Sequence, residues 1–175
     1  TVTPTPDIRA FIFDLDGVIT DTAEFHYLSW KRLADEVGVP FTRADNDHLR
    51  GLSRRASLNR ILNGRPIDEA TAEEWMARKN SYYLALMETI TPEDLLPGVR
   101  ELLDEADALG LKTAIASASR NARPVLDRLG ISGRMAVIGD AYCVVNTKPA
   151  PDIFLWVAGR LGIHPRQGLI FEDAQ

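Results

Sequence analysis

Asp14 and Asp16 stand two residues apart in "FDLDGVITDT", directly after the apolar run Ala10-Phe11-Ile12. On a strand rising about 3.3 Å per residue, positions two apart share a face and lie roughly 6–7 Å from each other. Carboxylates so placed, half shielded from water, repel one another and lose solvation worth on the order of several kcal/mol. A metal ion, or a reaction that needs two acids, gives a reason to keep them. A second acidic pair, Glu172-Asp173, closes the run "GLIF". Four carboxylates brought together are mutually destabilising without a cation. Magnesium suits them, being hard, oxygen-loving and commonly held by one or two carboxylates with phosphate and water. Ser117, the backbone N–H groups that follow it into a helix opening at Asn121, and Lys148 in "TKPAPD" supply a cradle and a point charge for phosphate. A carboxylate nucleophile, a second carboxyl, Mg2+, a hydroxyl and a lysine suffice for phosphoryl transfer through an aspartyl-phosphate.

The elements that must position these groups are legible in the hydrophobic pattern. "AFIF", "KTAIASAS" (112–119), "MAVIGDA" (135–141) and "GLIFEDA" (168–174) are short, nearly continuous apolar runs, as expected of parallel strands covered on both faces. Helical patterns separate them at 99–109, 121–129 and 152–161, each followed by a glycine, with Asp152 as an acid in the first turn of the last. The repetition predicts an α/β fold, a doubly wound parallel sheet of Rossmann-like kind. Ligands of such sheets bind at the carboxyl ends of the strands. Asp14 and Asp16, Ser117 and Ser119, and Glu172 and Asp173 all fall there.

Residues 22–91 break the rhythm. Apolar spacing in "FHYLSWKRLADEVG", "SLNRILNG" and "TAEEWMARKNSYYLALMETI" predicts helices and no strand, with Thr71 and Glu74 at capping-box spacing. The expected organisation is a core made of 1–21 and 92–175, with 22–91 as an inserted helical cap.

Composition sets outer limits. The 175 residues suffice for one substantial domain or a domain with an insert, and 45% hydrophobic with 26% charged residues is ordinary for a globular chain. A net charge of −5 argues against nucleic acid or an anionic membrane as the main partner. The single cysteine, Cys143, can form no internal disulfide and has no zinc spacing around it, which fits a reducing cytoplasm. No apolar run approaches the roughly 20 residues of a membrane span, and "TVTPTPD" reads as a loose leader without signal-peptide features.

With "FDLDGVITDT", "AIASAS", "TKPAPD" and "IFEDA" in order, the whole chain resembles the haloacid dehalogenase superfamily of phosphotransferases. His26 in "DTAEFHYLSW", "RGLSRRAS", Lys79 in "ARKNSYY" and "SASRN" resemble its β-phosphoglucomutase subgroup. The resemblance implies an isomerase that interconverts β-glucose 1-phosphate and glucose 6-phosphate through a 1,6-bisphosphate, with Mg2+ as cofactor and a sugar phosphate as small-molecule partner. It implies Asp14 as nucleophile and Asp16 as general acid and base. It implies a metal shell of Asp14, the Asp16 backbone carbonyl, Glu172 and Asp173. Ser117, Ala118 (through its backbone) and Lys148 are implied to hold the transferring phosphoryl group, Arg54 to grip the distal phosphate, and Ser119 and Asn121 to assist at that phosphate or at the sugar. Arg50, Gly51, Lys79 and His26 are implied on the substrate side of the cap, His26 linked to Asp16, and Thr22 at the hinge between core and cap.

Arg50 stands where the family often has Lys, keeping the charge with a different geometry. The family also continues beyond a position equivalent to Gln175, so the C-terminal part of the core is expected to be missing. Plainer roles compete residue by residue: packing for His26, a helix start for Arg54 with Ser53 or Ser57 as cap, and a solvated face for Lys79. Trp30, Trp75, Tyr82 and Tyr83 read as cap packing. A Mg-dependent phosphatase of a small sugar or metabolite phosphate is the alternative enzyme, and a truncated, catalytically silent fragment the alternative of another class. A monomer is the default for a self-contained cap and core.

Overall fold

A segment apolar on both faces can be buried only inside a layered sheet. In the computed structural model, which describes residues 7–174, Ala10–Phe13 (β1) is an inner strand. The leader read at the N-terminus falls, but for Asp7, outside the described residues. Lys112–Ala116 (β2), Val137–Gly139 (β3) and Gly168–Phe171 (β4) complete a parallel sheet of order β3-β2-β1-β4. Phe13 pairs with Ile115 on one side and Phe171 on the other. That register sets Asp14 and Glu172, the next residues along, side by side.

The strands are shorter than the apolar runs that announce them. Ser117–Ser119 lie beyond β2, because the Ser117 hydroxyl accepts the Ser119 N–H and the Ser119 hydroxyl accepts the Asn121 N–H, each at 3.0 Å. Such local bonds compete with a ladder and turn the chain out of the sheet. Asp140 does the same after β3, accepting the Tyr142 N–H at 2.9 Å.

Between β1 and β2 the chain forms α1 (Ala23–Glu36), α2 (Arg43–Asp47), α3 (Arg54–Leu62) and α4 (Glu69–Met87), then α5 (Val99–Ala108). Ala122–Arg128 (α6) and Asp152–Leu161 (α7) follow β2 and β3. Strand alternation divides the core. Phe13 and Ile115 pack with Leu103 of α5 and Val125 and Leu126 of α6, while Ala10, Ile12, Ala114 and Ala116 meet Ile153, Val157 and Leu161 of α7. Each fully buried Leu or Ile is worth about 2–3 kcal/mol of transfer free energy.

The helices from α1 to α4 have their own cluster, with Trp30, Leu33, Phe41, Leu58, Leu62 and Ala72 at its centre. Tyr83, Met87 and Ile90 instead join the cluster of the sheet, so the end of α4 is shared between the two. The helix begins earlier than Thr71 and Glu74 suggest. Asp68 is the N-cap, its carboxylate accepting the Thr71 N–H at 2.8 Å, and Glu74 pairs one turn on with Arg78. A carboxylate at the N-cap also meets the positive end of the helix dipole, so it outcompetes the hydroxyl three residues later. Where the chain leaves and re-enters the sheet layer its two passes lie side by side. The Leu96 N–H donates to Ile19 O at 2.9 Å and the Thr20 hydroxyl to Asp94 O at 2.7 Å. Among the described residues no helix is long and apolar enough to cross a membrane.

Candidate active site

Asp14 leaves β1 with its N–H bonded to Phe171 O at 2.9 Å, which ties the β1 and β4 ends together. Its buried carboxylate lies 3.0 Å from Lys148 Nζ, and the same ammonium lies 2.5 Å from Glu172 Oε2. Lys148 is itself buried, 5.0 Å from the Phe154 ring centroid, so it serves both acids at once. Burial pushes the Asp14 pKa up to about 7; Lys148 opposes the rise and the neighbouring Asp16 and Glu172 carboxylates add to it.

One oxygen each from Asp14, Glu172 and Asp173 falls within 4.8 Å of the others. This is an all-carboxylate, hard-oxygen set, the chemistry a divalent ion such as Mg2+ selects. Gly17 makes the approach of Asp173 possible: at φ +86° a Cβ there would stand 2.2 Å from Asp173 Oδ2. The side chain of Asp16 is not one of the three. Its Oδ1 accepts the hydroxyl of Thr22, the buried N-cap of α1, and lies 3.8 Å from His26 Nε2. Burial alone would raise the Asp16 pKa, yet His26, the Thr22 hydroxyl and Lys79 together carry it below the usual carboxylate range. The two neighbouring aspartates are thereby driven in opposite directions.

Across from them stands a basic pair, a buried Lys79 and a half-buried His26. Lys79 of α4 lies 3.0 Å from His26 Nδ1, and His26 stacks on Tyr83 at 4.5 Å between centroids. When Lys79 is an ammonium it only donates, so Nδ1 then accepts and the ring proton sits on Nε2, facing Asp16. Burial, and then Arg54, bring the Lys79 pKa down to about 7, while burial and Lys79 lower that of His26. The solvated face that "ARKN" also permits is therefore not what Lys79 occupies.

Arg54 begins α3 after Ser53, whose hydroxyl accepts the Ala56 N–H as the cap. Arg54 donates to Asn80 Oδ1 at 2.7 Å, and Asn121 Nδ2 donates to the same oxygen at 2.9 Å. Burial and the nearby Arg120 both disfavour the Arg54 charge. Arg50 lies 3.2 Å from Asp173 Oδ2, and Gly51 beside it would bring a Cβ to 3.0 Å from that of Ala174. With Ser117 and Ser119 bonded into their own turn, the N–H groups of Ala118 and Arg120 have no acceptor among the described residues.

Asp14, Asp16, His26, Arg54, Lys79 and Asn121 all line one cleft of about 680 Å3, together with Arg50, Gly51, Ala118 and Ser119. Thr22, Ser117 and Lys148 are buried behind its wall. Arg120, which lines the cleft, and Asn80, which bonds Arg54 and Asn121, were not singled out in the sequence. Arg120 sits between Ser119 and Asn121, and its charge was the available signal. Asn80 follows Lys79 on α4 and reaches the site only through Arg54 and Asn121, the two residues it bonds, a contact that no spacing within one helix announces.

The family model of haloacid dehalogenase-like hydrolases matches residues 8–175. β-Phosphoglucomutase of Bacillus subtilis is 45% identical over 172 residues, covering 96% of this chain and 76% of that protein. A phosphorylated carbohydrates phosphatase of Thermotoga maritima is 29% identical over 170 residues, covering 96% and 77%. A crystal structure of β-phosphoglucomutase from Clostridium difficile superposes with a TM-score of 0.92 at 43% identity, covering 95% of this chain and 77% of that one.

Proposed function

Because the chain belongs to the haloacid dehalogenase-like hydrolases, we propose that it is a sugar-phosphate mutase that interconverts β-glucose 1-phosphate and glucose 6-phosphate through glucose 1,6-bisphosphate. The observation that carries this reading is the shared cleft: Arg54 and Lys79, from helices of the 22–91 segment, face the same space as the Asp14 carboxylate. A phosphatase needs a nucleophile and water. A mutase needs a second, cap-borne grip that holds the far phosphate while the near one is exchanged.

In this reading the phosphoryl group resides transiently on Asp14. A sugar hydroxyl oxygen attacks phosphorus, the bond from phosphorus to the Asp14 oxygen breaks, and Asp16 takes the hydroxyl proton. The lowered pKa of Asp16 leaves its carboxylate free to accept that proton. The bisphosphate then turns over. Asp14 attacks the other phosphorus, the bond to the sugar oxygen breaks, and Asp16 returns a proton to that oxygen. Lys148, bonded to Asp14 and Glu172, is placed to neutralise phosphoryl oxygens during both transfers. Ala118 N–H is available to the same group. Mg2+ would be held by Asp14, Glu172 and Asp173 with the Asp16 backbone carbonyl, and would offset the charge that develops on the transferring phosphoryl group. His26, its proton on Nε2, steadies Asp16, and Thr22 holds the same carboxylate at the junction of cap and core. The cap of residues 22–91 excludes water between the two transfers.

The test is phosphoryl exchange between carbons 1 and 6 of a glucose phosphate with Mg2+ and a bisphosphate primer. Exchange without net phosphate release is expected. Rapid phosphate release with no exchange would replace the mutase by a phosphatase.

A further inference from the structure

Arg54 is a half-buried guanidinium that pairs with no carboxylate among the described residues, whereas its neighbour Arg55 pairs with Glu69. Its side-chain partner is the neutral amide of Asn80. An arginine only donates, so the Asn80 atom 2.7 Å away is the carbonyl oxygen. The Asn121 atom 2.9 Å from that oxygen must then be its NH2 group. One acceptor on α4 thus fixes two donors, one on α3 and one at the N-terminus of α6, and each keeps a further N–H directed elsewhere.

We propose that Asn80 is a positioning residue for the far phosphate: its carbonyl oxygen gathers Arg54 from the cap and Asn121 from the core into a preset donor pair, and its neutrality leaves the Arg54 charge for the substrate. An aspartate in its place would hold the same geometry and cancel the charge. Arg120, which lines the same cleft, makes an uncancelled Arg54 costly without an anion, so the site is primed for a dianion. This inference rests on the mutase reading for the identity of the ligand.

The experiment is calorimetric titration of glucose 6-phosphate into the Asp14→Asn protein, which binds without turning over. Asn80→Ala is expected to weaken binding about fivefold, the scale of one positioned hydrogen bond, and Asn80→Asp by roughly thirtyfold or more, since it adds a charge. The Asn80→Ala effect should shrink when Arg54 is already Ala, leaving only the part exerted through Asn121. In the Asp14 enzyme, KM should rise with kcat changed less than about twofold. An Asn80→Ala loss of the same size with and without Arg54 overturns the inference, as does unchanged affinity in both Asn80 variants. Failure of the Asp14→Asn protein with native Asn80 to bind any glucose phosphate overturns the mutase reading together with it.

Discussion

Lys79 Nζ meets His26 Nδ1 at 3.0 Å between the rings of Trp30 and Tyr83, so this buried amine has an imidazole as its hydrogen-bond partner and, among the described residues, no direct carboxylate. Desolvation brings its pKa down to about 7 from the ordinary lysine value. Between those values the unfolded chain binds a proton that the folded chain does not. Stability therefore rises with pH across that window, by up to roughly 1.4 kcal/mol per pH unit. Lys79→Met removes the titration. The variant's stability advantage in urea unfolding should be largest near pH 6 and shrink toward pH 10. An advantage independent of pH would show that Lys79 is not held desolvated.

Asp14→Asn separates catalysis from stability. In the proposed reaction Asp14 is the nucleophile and an amide cannot take its place, so phosphoryl transfer should fall at least about a thousandfold. The fold should not suffer. The change removes one of three carboxylates clustered at the strand ends and leaves Lys148 its contact with Glu172. Thermal unfolding without metal should give a Tm equal to or above that of the parent. A marked loss of Tm would mean that the Asp14–Lys148 pair holds the sheet ends together.

How much of this was legible in the sequence follows from what each feature depends on. The nearness of Asp14 and Glu172 needs only that two apolar runs end beside each other in a parallel sheet, and the pattern of "AFIF" and "GLIF" carries that. The helices α1, α3 and α4 follow from apolar spacing, which is likewise a property of one segment at a time. Asn80 does not, because nothing in a single helix says that the loop before α6 will come within 2.9 Å of it. The same holds for Lys79: "ARKN" is compatible with solvent until Trp30 and Tyr83 are known to close over it. The start of α4 was misplaced because Asp68 and Thr71 are both good caps, and the choice turned on a carboxylate against a hydroxyl.

Gly17→Ala tests the carboxylate cluster from the backbone side. The φ of +86° disfavours any side chain, and the new methyl would collide with the Asp173 carboxylate. A stability loss of about 1–3 kcal/mol in urea unfolding is expected from the backbone conformation. Weaker Mg2+ binding in calorimetry should accompany it, because Asp173 has to move. Unaltered metal affinity would place Asp173 outside the cation's ligands.

Arg50 and the cation compete for one group. Arg50 Nη1 lies 3.2 Å from Asp173 Oδ2, and a cation bound by Asp173 would draw on the same carboxylate. The pair is largely exposed, so its own worth is on the order of 1 kcal/mol or less. Arg50→Ala should therefore tighten Mg2+ binding by at most about fivefold, and the gain should shrink as salt screens the pair in the parent. The sign is the discriminating feature. A guanidinium that merely obstructs Asp173 gives tighter binding when removed. One that fixes Asp173 in the geometry the cation needs gives weaker binding. Calorimetry of Mg2+ at two ionic strengths distinguishes them, and tighter binding of the variant at low salt is the outcome that the 3.2 Å contact implies.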